Sequence, residues 1–320
     1  MKKLLFVLLM LPSLVMLASC KDEKTADIVT TMYPQYDFAR QIVGDKMSVS
    51  LLIPPGAEIH DYDVTSKDLI AIENSKLFIF TSVELNTWVD PLTIGGDDTI
   101  VLDLSTSFTL VEHEHAEDDH DDEHLDEEDH DDEHDHDHAD DVHFWTDPTT
   151  VLQLIDAILE QIIIIDPANS DFYTTNATNY KAVIEDIHHE IDELFQILEN
   201  QEKPIYFAGH NAMGAFAKRY HINIISLFEA FKPDADLTSA ELISFVDEVR
   251  NTQTNYIFTE ELVNPKTAEK IINELSKYNI SMLELHGYHN VTKEDFNAHV
   301  SYADLMLRNY QNLVLALGDE

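Results

Sequence analysis

The chemistry of this chain is concentrated in its histidines. Eight of them (His113, His115, His120, His124, His130, His134, His136 and His138) lie in residues 112–141, where every other residue is Asp or Glu apart from Ala116, Leu125 and Ala139. Carboxylate oxygens attract divalent cations, and neutral imidazoles bind borderline transition metals. The same run has almost no apolar surface to set against the entropy of ordering. It is expected to be a solvated, disordered loop that collects cations loosely. The chain then resumes at once with His143, among apolar residues that read as ordered.

Four histidines outside the loop occupy comparable places. His60 falls in Pro54-Pro55-Gly56-Ala57-Glu58-Ile59-His60-Asp61, after a strand-like run. His210 follows the run Ile205–Ala208, and His286 follows Ile280–Leu285. His143 precedes Phe144-Trp145-Thr146-Asp147-Pro148, where a helix should begin. In open parallel sheets, ligands bind in the crevice beyond the carboxyl ends of the strands. One histidine at a strand end is more often a packing residue. Four of them beside a His-rich run point to a shared metal site, with two contributed by each half of the chain. The remaining candidates have simpler readings. His188 and His189 sit in a charged helical stretch near Glu185 and Asp192 and are expected to be solvated, and His221 and His299 lack a motif. Asp147 reads as a helix cap, and Tyr33, Phe144 and Trp145 as cleft wall or core.

The elements that must position these residues follow from periodicity. Ile28–Met32, Val49–Ile53 and Leu77–Thr81 read as short buried strands, with helical patterns near Gln35–Val43 and Lys67–Glu73 between them. That alternation predicts βαβ units and a parallel sheet. Asp147 and Pro148 begin a helix whose apolar face runs from Val151 to Ile164. About Asp171 to Asn200 is one helical pattern without Gly or Pro. At 1.5 Å per residue it reaches roughly 45 Å, enough to link two lobes. A second alternation follows, with strands at Ile205–Ala208, Ile222–Leu227, Tyr256–Thr259 and Ile280–Leu285. The helices between them begin at Ala212, at the capping box Thr238-Ser239-Ala240-Glu241, and at Asn264-Pro265, and one helix from Thr292 to Leu317 closes the chain. The fold class expected is therefore α/β, two (β/α) lobes with parallel-type sheets joined by one long rigid helix, with the metal site in the interlobe cleft. The expected divisions are a signal peptide (1–19), a lipidated tether (20–26), an N-terminal lobe (27–165), a linking helix (166–201) and a C-terminal lobe (202–320).

Lys2 and Lys3, the apolar stretch from Leu4 to Leu17 and the ending Leu17-Ala18-Ser19-Cys20 read as a secretion leader. The small residues before Cys20 resemble the lipobox of bacterial lipoproteins, in which that cysteine carries the lipid. Cys20 is the single cysteine, so an internal disulfide and a thiolate-rich metal site are excluded. No other segment is expected to approach the roughly 20 apolar residues of a membrane span. The formal net charge is −43. So acidic a chain lacks the Lys and Arg clusters through which nucleic acid is bound.

Three motifs carry a family resemblance: Pro55-Gly56-Ala57-Glu58-Ile59-His60-Asp61-Tyr62, His143-Phe144-Trp145-Thr146-Asp147-Pro148, and His210-Asn211-Ala212-Met213-Gly214-Ala215-Phe216-Ala217-Lys218-Arg219-Tyr220. Over nearly all of the mature chain it resembles the zinc and manganese receptors among ABC-transporter solute-binding proteins, bacterial solute-binding protein family 9. The resemblance implies two (β/α) lobes, a rigid linking helix and one metal in the cleft. It implies His60, His143 and His210 as ligands and an acidic His-rich insert that marks the zinc branch. It also implies a permease and its ATPase as partners. For the fourth ligand the family usually offers a carboxylate or a water after the last strand. This chain has His286 there, with Glu284, His289 and Glu260 as alternatives.

Three or four neutral imidazoles make a tetrahedral nitrogen site, which suits Zn²⁺. Mn²⁺ is better served by carboxylates, and the manganese receptors carry one where this chain has His210. The reading that results is an extracytoplasmic, membrane-anchored lipoprotein, a monomer, that captures Zn²⁺ for an ABC permease and is not an enzyme. Two alternatives stay open, a zinc-dependent hydrolase and a metal-sequestering surface adhesin. The hydrolase would need an open coordination position and a nearby base. The chain lacks His-Glu-x-x-His, Gly-x-Ser-x-Gly and a Walker loop.

Overall fold

A computed structural model describes residues 25–60, 62–91, 93–109, 142–198, 204–228, 238–252, 254–262 and 265–318. The expectations for the leader, Cys20, the acidic His-rich run and the Asn264 cap lie outside the described residues. The N-terminal half runs β1 (Ile28–Thr30), α1 (Tyr33–Val43), β2 (Val49–Leu51), α2 (Ser66–Glu73), β3 (Leu77–Phe80), β4 (Ile100–Asp103) and α3 (Pro148–Ile165). Its four described strands pair in parallel in the order β2-β1-β3-β4. Strand β4 is an addition to the sequence reading. Four residues are too short to show a period, and Ile100, Val101 and Leu102 earn a place only by pairing with Leu77–Phe80.

The second half runs α4 (Ser170–Leu198), β5 (Ile205–His210), α5 (Gly214–Arg219), β6 (Ile224–Phe228), α6 (Ser239–Asn251), β7 (Tyr256–Thr259), α7 (Pro265–Ser276), β8 (Ser281–Glu284), α8 (Lys293–Asn297) and α9 (Tyr302–Leu317). The sheet order is β6-β5-β7-β8, again parallel. Both sheets thus repeat one winding, and in each the chain reverses direction beside the first strand of its half. The expected caps form: the Asp147 carboxylate accepts the Thr149 N–H, and Thr238 and Glu241 make a reciprocal capping box.

The 29 residues of α4 extend about 43 Å. One continuous core joins Ile28, Phe38 and Leu77 of the first half, Tyr173, Ile184 and Ile191 of α4, and Phe207, Phe258 and Leu285 of the second. Helix α3 is long and apolar enough by composition to cross a membrane, a segment the sequence reading did not single out. Val151, Leu154, Ile155, Ile158 and Ile162 are buried on its inner face, packed with α1 and α4 in the core. It is a core helix.

The closing helix is not continuous. Ala298 ends α8, and His299 takes a left-handed turn (φ 56°). Ser301 and Asp304 then form the capping box that starts α9. The break is pinned from α1: Arg40 donates to the carbonyls of His299 and Val300 at 3.0 Å, and the Tyr33 hydroxyl also donates to Val300. Helix α9 returns to pack on α4 and α1, and so straps the second half to the first. Buried Asp37 anchors the strap, accepting from the Tyr180 hydroxyl of α4 (2.5 Å) and the Tyr302 N–H of α9 (2.8 Å).

His188 corrects the expectation of a solvated pair. It is buried on α4, and its Nδ1 lies 2.8 Å from the Tyr220 hydroxyl at the end of α5, whereas His189 is exposed. The helical period turns His188 toward Tyr220 and its neighbour toward water.

Candidate metal centre

The second sheet reverses its winding between β5 and β7, and their carboxyl ends carry His210 and the pair Glu260-Glu261. This is the topological crevice where open sheets bind ligands. His60 comes from the loop after β2 and His143 from the turn that leads into Trp145 and α3. His289 comes from the loop after β8. One ring nitrogen from each of His60, His143, His210 and His289 lies within 4.8 Å of all the others. His143, His210 and His289 are buried and His60 is half-buried.

The spacing is close to a regular tetrahedron. The ring centroids are 5.9 Å apart for His60–His143, 5.3 Å for His60–His210 and 5.9 Å for His60–His289. They are 5.2 Å apart for His143–His210, 5.0 Å for His143–His289 and 5.1 Å for His210–His289. A tetrahedral zinc ion with Zn–N bonds of about 2.0–2.1 Å puts its nitrogens roughly 3.4 Å apart and imidazole centroids roughly 5.2 Å apart. Nε2 of His210 and Nε2 of His143 are 3.4 Å apart. The buried Nε2 of His289 has no hydrogen-bond partner among the described residues, an arrangement that a cation would satisfy. A tetrahedral set of nitrogens suits Zn²⁺, whereas Cu²⁺ favours tetragonal geometry and Mn²⁺ favours oxygen ligands in an octahedron.

Of the sequence candidates, His60, His143 and His210 come together. His286 and Glu284 lie outside the group, and His289 takes the remaining corner. The reason is local. The His286 N–H donates to Asn309 on α9 at 2.7 Å, and the Asn309 amide returns a bond to the His286 carbonyl at 2.9 Å. The His286 ring accepts the Tyr288 N–H on Nδ1 (2.8 Å), turned away from the cleft. Tyr288 adopts φ 65°, and the chain swings round to deliver His289 three residues later. Gly287 makes room for it, since a Cβ there would lie 2.7 Å from His289 Cε1 and 2.8 Å from its Nδ1.

Glu260 joins the site differently from the expectation of a ligand. Its Oε2 lies 2.5 Å from His210 Nδ1, behind the ring. Glu261, which had no sequence signal beyond its place after β7, accepts from the Gly287 N–H (2.7 Å) and the His289 N–H (2.9 Å) and lies 2.9 Å from His289 Nδ1. Burial alone would raise the Glu261 pKa. His286, His289 and these hydrogen bonds outweigh that and hold its carboxyl well below the usual range. Burial, then the other rings, push His143 well below its ordinary value. Burial acts the same way on His289, but the Glu261 carboxylate reverses the sign and leaves it raised. Trp145 closes one wall, with its ring 5.2 Å from His143 and 5.6 Å from His289 and its indole N–H donated to the Gly287 carbonyl.

The family model described as zinc-uptake complex component A, periplasmic (ZnuA), matches residues 28–316. The chain belongs to this family. It is 31% identical over 289 residues to the high-affinity zinc uptake system protein ZnuA of Bacillus subtilis (strain 168), covering 89% of this chain and 86% of that one. It is 27% identical to the zinc-binding lipoprotein AdcA of Streptococcus pneumoniae (strain R6), over 98% of this chain but 60% of that longer one. Among solved structures, the Zn(II)-bound ZnuA-like domain of the S. pneumoniae AdcA superposes with a TM-score of 0.71 at 21% identity, covering 92% and 99% of the two chains. The metal-dependent lipoprotein YcdH of B. subtilis gives 0.69 at 26% identity, covering 91% and 98%. The two-lobed α/β class is the family's fold, and its members are uptake components and not enzymes.

Proposed function

We propose that this chain captures one Zn²⁺ outside the cytoplasmic membrane and passes it to an ABC permease driven by its ATPase. The observation that carries the reading is the near-tetrahedral set of His60, His143, His210 and His289, drawn from both halves of the chain. Four nitrogens leave no coordination position for a reacting water, so the site suits capture and not hydrolysis. Relatives named for zinc uptake and zinc binding support the choice of ion.

Cys20 carries the lipid in this reading, which tethers a monomeric receptor to the membrane. The eight histidines of residues 112–141 gather zinc for the receptor in this reading. The test is zinc uptake at limiting metal by cells that carry the wild-type chain, His143→Ala, or a deletion of residues 112–141. His143→Ala is expected to abolish uptake. Wild-type uptake by His143→Ala would refute the proposal, and equal uptake with and without the run would remove its gathering role.

A further inference from the structure

The two C-terminal imidazoles of the cluster are each backed by a carboxylate, and the two carboxylates are consecutive residues. Glu260 reaches His210 Nδ1 at 2.5 Å and Glu261 reaches His289 Nδ1 at 2.9 Å. Both glutamates are buried. Each bond requires a proton on Nδ1 when its ring is neutral, and so leaves Nε2 as the lone-pair nitrogen facing the cleft. Outer partners of this kind fix tautomer and ring orientation at metal sites. Glu260 also accepts the His210 N–H (3.3 Å), and Glu261 accepts two N–H groups of the loop after β8. The glutamates therefore hold the backbone of the ligand loops as well as the rings.

Their charges matter as much as their geometry. Four neutral imidazoles bring no charge, and a doubly charged ion placed among buried groups pays a large desolvation cost unless it is compensated. Two ionised carboxylates one imidazole away balance +2. With a monovalent ion the same site carries an excess of −1.

We infer that Glu260 and Glu261 are positioning residues that set the Nε2 tautomers of His210 and His289 and match the cleft to a divalent charge. The inference rests on the zinc-receptor reading. Coulomb energy is proportional to the charge of the ion, so loss of one carboxylate costs Zn²⁺ about twice the free energy it costs a monovalent ion. Ag⁺ serves as the monovalent comparison, because it shares the closed d-shell of Zn²⁺; it is also larger, and variants that keep the carboxylate charge control for that difference.

The experiment uses the chain from residue 21 onward, which omits the leader and the single cysteine and keeps every described residue. Trp88→Phe leaves Trp145, packed on His143 and His289, as the fluorescent reporter of cleft filling. Zn²⁺ and Ag⁺ affinities are measured for this parent, for Glu260→Gln and for Glu261→Gln. Glutamine keeps a hydrogen-bond acceptor and loses the charge. Zinc affinity is expected to fall about 10–100-fold in each variant, and the Zn²⁺/Ag⁺ affinity ratio about 3–10-fold. Glu260→Asp and Glu261→Asp, which keep the charge, are expected to restore the ratio. A role through geometry alone would move the ratio equally in the glutamine and aspartate variants or leave it at the parent value in both, and either result overturns the inference whatever the absolute affinities. Failure of the underlying reading looks different: the parent itself would give no Trp145 response to zinc that His143→Ala removes.

Discussion

Nε2 of His143 and Nε2 of His210 face each other at 3.4 Å, one from the turn before α3 and the other from the end of β5. That separation is the edge of a zinc-centred tetrahedron. Neither half of the chain holds more than part of this histidine set, so an ion bound by all four would join the halves.

The ligand set predicts a ranking of substitutions. His143→Ala, His210→Ala and His289→Ala should each lower zinc affinity by more than the roughly 10–100-fold that loss of an outer partner costs. His286→Ala should lower it by less, because that ring is turned to Tyr288 N–H and Glu261. Calorimetric titration of the four variants checks the order. A greater loss in His286→Ala than in His289→Ala would reverse the assignment.

Gly287→Ala should mimic loss of His289. The added Cβ would lie 2.7 Å from the His289 ring, so the ring must leave its corner. Zinc affinity should fall at least about tenfold, as for loss of an orienting partner. The metal-free protein should still unfold cooperatively, because the displaced ring lies in the cleft and not in the common core. The two measurements together separate this local displacement from unfolding.

Zinc binding should weaken as pH falls, because protons compete with the metal for imidazole. The ordinary histidine pKa is about 6.5. His143, pushed down by burial, stays neutral below that value. His289 is held up by Glu261 and takes its proton before His143. The sign is therefore an affinity complete at high pH that begins to fall above pH 6.5. Proton release on zinc addition, followed by titration between pH 5 and 8, should be greatest near the lower end.

Asp37→Ala should destabilise the metal-free protein by about 3 kcal/mol, the scale for breaking a buried charged partnership. It removes the acceptor shared by Tyr180, Tyr302 N–H and Arg40. Urea unfolding gives the value. With the strap and the common core intact, metal-free and zinc-loaded wild type should show nearly equal radii of gyration by small-angle scattering. A large difference would show wide lobe closure.

Much of this architecture is legible in the sequence because local rules and tertiary placement agree. Short apolar runs alternate with capped helices, and Asp147, Thr238 and Glu241 cap where their types predict. Three of the four cluster histidines also follow from their places at element ends. The disagreements have tertiary causes. His286 is the first histidine after β8, but Asn309 on α9, 23 residues further on, holds its backbone and passes the corner to His289. No pattern in the loop itself announces that contact, although Gly287 beside it is a hint of close approach. The closing helix breaks because Arg40 and Tyr33, some 260 residues earlier, capture the carbonyls of His299 and Val300. His188 is buried by a partner on α5, and Glu261 acquires its role from a loop that arrives from another strand.

The most direct test is a crystal structure of the zinc-loaded protein with anomalous scattering recorded at the zinc edge. The expected result is one ion bonded at about 2.0–2.1 Å to a ring nitrogen of each of His60, His143, His210 and His289. An ion bound elsewhere, with these rings too far apart to share it, would contradict the account.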